Sequence, residues 1–499
     1  MDMGLFLLSW TPVALLTVLA VILGRSALDL SIWGVVWALV LAKVFFATPL
    51  SVGIMSALDG VLTTLPLMLV ILGGVLFSAL LSAAGSLERI MAWFKLGAGD
   101  GLGRNLLITF GVGNFMEGTG VIAEPVVAPM LRQAGVSATG AAALSIIGYA
   151  GLMSLEMAGI VITVLSLVTG LPLRELGLAA AWISIPAVLI MALSAPLFFG
   201  KGPDGRHGFI PALGVGLLLG FSGLAIVWMG ALPVSGALAG VLVIVVLAAG
   251  GPGRMVMPPG ILKDLAPFVC LVVCLFSVNV FPLLKEWTFE RIIFQVRLVP
   301  IHTVTFRPLF SAYVYLFLAF FLTAALHRIS GTRLQQVVLQ SLGRSWPAFA
   351  AMALFGAMGQ VISYTGYAPG FADLDTARNI PWIISQGLVL FTGGFYPVFV
   401  PLLGWVGTFL TGYGVASLML FGQLQVQAAE LLGTSGAWLA GALAVGCSLG
   451  SISSPFKVAL ATAMVGAVGK EGTVLRYTIP LGIIACLVVG AVVWMAAAF

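Results

Sequence analysis

Charge is what this chain has least of. Lysine, arginine, aspartate and glutamate together make up 8% of its 499 residues, against about a quarter in an ordinary soluble domain. That shortage excludes a solvated globular surface. It also excludes a nucleic-acid groove, because the 22 basic residues are scattered singly through short loops, so the net charge of +5 reads as a topology signal. Histidine is represented by His207, His302 and His327, each in a loop, and cysteine by Cys270, Cys274, Cys447 and Cys486, all in apolar runs. Cys270 and Cys274 are spaced as one helical turn, which is neither a metal nor a redox spacing, and free cysteine behaves as a small buried hydrophobe. There is no Ser/His, His/Cys or metal-spaced constellation of the kind a membrane enzyme needs. Neither an enzymatic activity nor a cofactor or metal is therefore expected.

Apolar length is what the chain has in abundance, with 61% hydrophobic residues. Runs of about 20 apolar residues cross a core of about 30 Å, and roughly 12–14 candidates are present, some of them re-entrant. The fold class expected is an all-α polytopic membrane protein. The N-terminal run lacks a basic leader and a small-residue cleavage site, so Leu5 to Leu23 reads as a retained span and not as a signal peptide. Further spans read as Ile32 to Leu50, Thr63 to Ala84, Leu178 to Phe199, Phe209 to Met229, Leu232 to Ala249, Leu265 to Leu284, Pro308 to Leu326, Trp346 to Tyr364 and Pro381 to Val400. Arg25 and the joints carrying Lys201, Arg206, Arg254 and Lys263 place their loops on the cytoplasmic side. From Glu286 to Arg307 apolar and polar residues alternate, which suits an extramembranous β-hairpin or an interfacial segment better than a span.

Against this background Gly113 to Pro125, GNFMEGTGVIAEP, stands out, since it sets Glu117 and Glu124 in an apolar stretch broken by glycine and proline. A charge at membrane depth costs about 2.5–3.5 kcal/mol on insertion scales and so marks an ion or substrate path. Non-helical backbone is tolerated there only where protein or water satisfies it, which is how broken helices build transporter sites. The stretch reads as a binding-site hairpin spanning about 104–131. Glu156 lies in a second, glycine-interrupted apolar run from Ala138 to Val168.

The chain contains a partial copy of itself. Val112 to Val121, VGNFMEGTGV, matches Val406 to Val415, VGTFLTGYGV, at six positions of ten without a gap. Downstream, Gly135, Ser137, Ala142 and Gly148 meet Gly433, Ser435, Ala440 and Gly446 at one constant offset, which also sets Glu156 opposite Ser454 and Gly159 opposite Lys457. Two structural repeats follow, divided as 1–250 and 251–499, the second with its own hairpin near 400–432. Paired interrupted segments are the best sequence pointer to a transporter's site. An inverted relation between the halves is favoured on precedent. Thr411 stands where repeat one has Glu117, so the fold at that position does not need a carboxylate, and Glu117 is expected to couple protons, with Glu124 and Glu156 as further candidates. Asn114, Thr119, Thr411 and Tyr413 at the hairpin tips, and Ser451, Ser453, Ser454 and Lys457 in the break CSLGSISSPFK, are expected to bind a substrate carboxylate.

Four segments resemble the lactate permease family: FMEGTG in the first hairpin, RSWPAFAAMALFGAMGQVISYTG before the second, PLLGWVGTFLTG at its tip, and SSPFKVALATAMVGAVGKEGTVLRYT near the end. They run in the family's order and cover about half the chain. The resemblance implies symport of a small organic anion with protons across a bacterial inner membrane, the anion being a 2-hydroxymonocarboxylate such as lactate or glycolate. Three departures leave a different or bulkier organic acid open. The family's polar run after the second hairpin's Thr-Gly is replaced by Tyr413, Gly414, Val415, Ala416 and Ser417. Glu124 stands before Pro125 where the family has small residues and Phe-Gly, and Lys457 follows Ser454 and Pro455 where the family's lysine comes before its Ile-Ser-Pro segment. Sodium coupling and an anion channel are the competing readings. The expected partners are the anion, its coupling ion and the bilayer, with no nucleic acid, and a homodimer stays open.

Overall fold

The computed structural model describes residues 2–19, 23, 25–97, 101–199, 208–249, 258–411 and 414–497, and most of them are helical. Eight helices among them are long and apolar enough to cross a membrane, and five shorter apolar helices accompany them. The expected 12–14 crossings are reached only with the short and broken helices counted. The loops carrying Lys201, Arg206, His207 and Arg254 lie outside the described residues, as does Tyr413.

Two helices exceed their expected bounds. The first long helix, Leu50–Ala83, begins well before Thr63, and the second, Gly331–Ser363, begins well before Trp346. At about 1.5 Å per residue a helix of 33 residues is about 50 Å long, longer than a bilayer core. The polar turns from Thr332 to Gln340 therefore extend the second helix past the apolar layer. The two helices pack along one another and cross at glycine: a Cβ on Gly60 would fall 2.2 Å from the Gly356 carbonyl oxygen, and one on Gly356 would fall 2.6 Å from that of Gly60.

Each long helix precedes a hairpin. The first hairpin enters through Leu102–Leu106, a π-helical turn Leu107–Val112 and Gly113–Gly118, and leaves through Glu124–Gln133. The second comprises Tyr396–Thr411 and Gly414–Leu432. A broken helix follows each. Ala138–Ala150 and Ile160–Thr169 flank the first break, and Gly436–Gly450 and Pro455–Met464 flank the second. Both broken helices start alike, with a left-handed glycine (Gly135, Gly433) and then a serine N-cap, Ser137 accepting from Gly140 and Ser435 from Trp438. The helix leaving the first break packs on the second hairpin, and the helix leaving the second break packs on the first.

Between the first broken helix and the second long helix the alternating segment forms the expected β-hairpin, β1 (Phe294–Val299) paired antiparallel with β2 (His302–Phe306). Val299 is buried in a small cluster with Val52, Tyr364 and Phe371, which docks the hairpin on both long helices.

Candidate transport site

The tip of the first hairpin is a turn that glycine makes possible. Gly118 ends the inbound helix, Gly120 takes φ +82, and the backbone re-enters a helix at Glu124 with Pro125 in its first turn. Glu117 closes the turn by accepting a hydrogen bond from the Ala123 amide at 3.0 Å. Glu117 is buried, 3% exposed, and it lies within electrostatic reach of Lys457 and Glu124.

Around the tip the chain assembles a buried polar string. Lys457, in the first turn of Pro455–Met464, donates from Nζ to the Tyr149 hydroxyl at 2.9 Å, and that hydroxyl donates to Glu124 Oε1 at 2.7 Å. The ammonium also sits 4.8 Å from the Tyr149 ring centroid, a cation–π distance. Met153 Sδ faces it at 3.7 Å, and the Ser451 hydroxyl faces the same sulfur at 2.9 Å. Lys457 is half-buried, and Tyr149 and Glu124 are buried.

Glu156 lies in the first break, within electrostatic reach of Glu117 and Lys457. Its backbone is extended, and Met157 and Ala158, next along the chain, hold φ of +50 and +56. Left-handed backbone at non-glycine residues costs on the order of 1–3 kcal/mol each and persists where the surroundings impose it. The Glu156 side chain is wholly buried, packed at Gly236, and neither carboxylate oxygen has a hydrogen-bond partner among the described residues. A buried polar atom left unpaired costs about 1–3 kcal/mol, and more if charged.

The remaining expected site residues divide. Ser454 is buried at the head of Pro455–Met464 with its hydroxyl unpartnered among the described residues. Ser453 is committed elsewhere: it donates to the Thr478 carbonyl at 2.9 Å and accepts from Trp405 at 3.3 Å. Both hydrogens of the Asn114 side-chain amide are likewise used, on the carbonyls of Phe110 and Gly148, stapling the hairpin to the first broken helix. Thr119 donates to the Met116 carbonyl within its own turn. Thr411 ends its helix, and its side chain, like Tyr413, lies outside the described residues.

Two buried polar residues escaped the sequence reading, one in this string and one outside it. Tyr149, which links Lys457 to Glu124, sits in an apolar run where a tyrosine reads as packing. Asp59, wholly buried in the first long helix, accepts from Gln360 Nε2 at 3.0 Å and pairs with His302 Nδ1 at 2.7 Å, while His302 Nε2 faces the Leu167 carbonyl at 3.2 Å. An acid inside an apolar run was the signal available for it.

Comparison with known proteins bears out the resemblance seen in the sequence. Residues 260–499 match the family model for L-lactate permease. An L-lactate permease of Salmonella typhi is 33% identical over 147 residues, 29% of this chain and 26% of that protein, so the match spans about a quarter of that relative. Glycolate permease GlcA of Escherichia coli is 40% identical over 101 residues, 20% of this chain and 18% of that one. An L-lactate permease of Streptococcus iniae is 25% identical over 434 residues, covering 82% of this chain and 87% of its own. Among solved structures, Neisseria gonorrhoeae MtrF, described with a class of antimetabolite efflux pumps, covers 94% of this chain and 95% of its own at 15% identity and a TM-score of 0.47, too remote to bear on function. The family match and the apolar helices together make this a multi-pass bacterial membrane protein.

Proposed function

We propose that this chain, a relative of the lactate permeases by its C-terminal half, carries a small organic anion across the membrane together with protons. A 2-hydroxymonocarboxylate such as lactate or glycolate is the substrate that the relatives support. The observation that carries the reading is the Lys457–Tyr149–Glu124 string, set where the first hairpin meets the second break, with Glu117 and Glu156 alongside.

Charge balance supplies the mechanism. One ammonium faces three carboxylates, so the site already holds an excess of potential negative charge before any anion enters. Two like charges about 6 Å apart repel by about 3 kcal/mol at an effective dielectric near 20. A carboxylate ligand is therefore admitted only as protons neutralise the resident acids, and proton uptake and anion binding become one event. Lys457 supplies the counter-charge for the anion, with the unpartnered Ser454 hydroxyl as a neighbouring donor. Glu117 is the coupling carboxylate, because its ionised form repels the incoming anion and its hydrogen bond from the Ala123 amide sets it in the turn of the hairpin tip.

The halves 1–250 and 251–499 act as two repeats, inverted with respect to one another, whose hairpins and breaks open the site alternately to either side. The crossed packing, each break's outgoing helix resting on the other half's hairpin, supports this. Uptake of labelled lactate, glycolate and longer acids into proteoliposomes, with and without an imposed inward proton gradient, tests the function. Accumulation driven by the gradient is expected. Uptake indifferent to pH and dependent on sodium would sink the proton reading.

A further inference from the structure

A cavity of about 300 Å³, at the lower end of the range for small-ligand pockets, opens beside the β-hairpin and away from Lys457. It follows one face of the helix leaving the first break, past Ser166, Thr163 and Ile160, between that helix and Pro66 and Val70 of the first long helix. Ala158, Leu232 and Pro233 also line it. Ala158 is one of the two left-handed residues of the break and stands two positions from Glu156. The cavity thus leads from the hairpin to the first break, one side of the proposed transport site.

Arg307, immediately after β2, lines the cavity at the β-hairpin. The guanidinium lies 4.0 Å from the Phe289 ring centroid, and its Nε donates to the Phe289 carbonyl at 3.1 Å. Stacked on one ring and tied by one N–H, the group is fixed in plane, while its terminal nitrogens have no carboxylate partner among the described residues. Arg307 is half-buried. A partly desolvated guanidinium without a counter-ion is an incomplete pair, and the planar fork of its two terminal nitrogens matches a carboxylate. The other cavity walls are mainly apolar, with the Thr163 hydroxyl committed to the Gly159 carbonyl and that of Ser166 to the Leu171 carbonyl. A small monocarboxylate with an apolar tail fits that division of surface.

We propose that Arg307 is an outer carboxylate-binding position, at which the organic anion is first held before it passes along the cavity to the break. The inference rests on the carrier reading above. It makes Arg307 a determinant of apparent affinity, distinct from the groups that couple protons.

The test is the concentration dependence of labelled anion uptake by proteoliposomes of wild type, Arg307→Gln, Arg307→Lys and Thr163→Leu. Arg307→Gln is expected to raise KM about tenfold or more with the saturating rate within about twofold, and Arg307→Lys to recover part of that loss. Thr163→Leu, which narrows the cavity without touching the hairpin, is expected to raise KM more for longer acids than for lactate. If Arg307 only anchored the hairpin, both Arg307 variants would lose saturating rate and thermal stability together and leave KM unchanged, which overturns the proposal. Unchanged KM in Arg307→Gln and in Thr163→Leu, with an active wild type, overturns this inference alone. A wild type that moves no organic anion overturns the carrier reading with it.

Discussion

Tyr149 joins a cation and an acid that no reading of neighbours along the chain would pair, since Lys457 lies 308 positions from it. Tyr149→Phe keeps the ring under the ammonium but leaves Lys457 Nζ and Glu124 Oε1 each short of one partner. Hydrogen bonds to charged groups are worth about 1.5–3 kcal/mol, so uptake in this variant is expected to fall at least tenfold or so while the protein still folds and melts near wild type. Uptake and thermal melting of the purified variant check it together. Glu117→Gln isolates the coupling role. With a permanently neutral side chain at the tip, exchange of internal for external anion is expected to continue, and net uptake driven by a proton gradient to fall about tenfold or more. Equal net uptake by variant and wild type would remove Glu117 from the mechanism. Glu117, Glu124, Glu156 and Lys457 were legible because charge is rare in this chain and conspicuous in an apolar run. Tyr149 was not, and neither was the use of Asn114 as a staple, because hydroxyls and amides inside helices serve packing more often than ligands.

At the scale of elements, the sequence showed where backbone breaks but not where helices begin. Asp59 and the glycines around it interrupt the apolar run, so a span starting near Thr63 was the natural reading. The helix continues through Asp59, whose Oδ2 is held by both His302 and Gln360 from other elements. The crossing of the two long helices gives a sharp prediction. Gly60→Ala would place a methyl against backbone, which no rotamer change relieves; a loss of about 1–3 kcal/mol or more is expected, read as a fall in melting temperature in detergent.

The β-hairpin carries the pH dependence. Both ring nitrogens of His302 face acceptors, an arrangement that only the imidazolium satisfies in full. Burial pushes its pKa down, but the hydrogen bond to Asp59, the Asp59 charge and the Leu167 carbonyl outweigh it, and the net is a pKa above the ordinary value of 6.5. Its contribution is thus fully present below about pH 6.5 and is lost as pH rises through the raised value. Thermal stability should decline over that window in wild type, and His302→Gln should flatten the decline. A wild-type profile already flat across it would detach the hairpin from His302 titration.

At the scale of the whole molecule, the all-α membrane class followed from composition alone, and the lactate permease resemblance followed from four quoted segments. The way the halves interlock did not. The repeat read from matched residues divides the chain at 1–250 and 251–499 and expects residues of both to meet in one site, without saying which helices bring them there. The folded chain lays the first long helix along the second and rests the helix leaving each break on the opposite hairpin. Glu117 and Lys457 come from different halves and reach one site only through that interlocking, so neither half is expected to transport when expressed without the other. Coexpressed halves are expected to recover uptake.

The central claim is that anion and proton move as one. Its most direct measurement follows both species in the same proteoliposomes, labelled lactate or glycolate and a pH-sensitive dye trapped inside, after an outward-to-inward substrate gradient is imposed with no initial pH difference. Internal acidification in step with anion entry, beyond that of protein-free liposomes and abolished in Glu117→Gln, is the predicted result. Anion entry that leaves internal pH at the protein-free level, or that requires sodium, would contradict it.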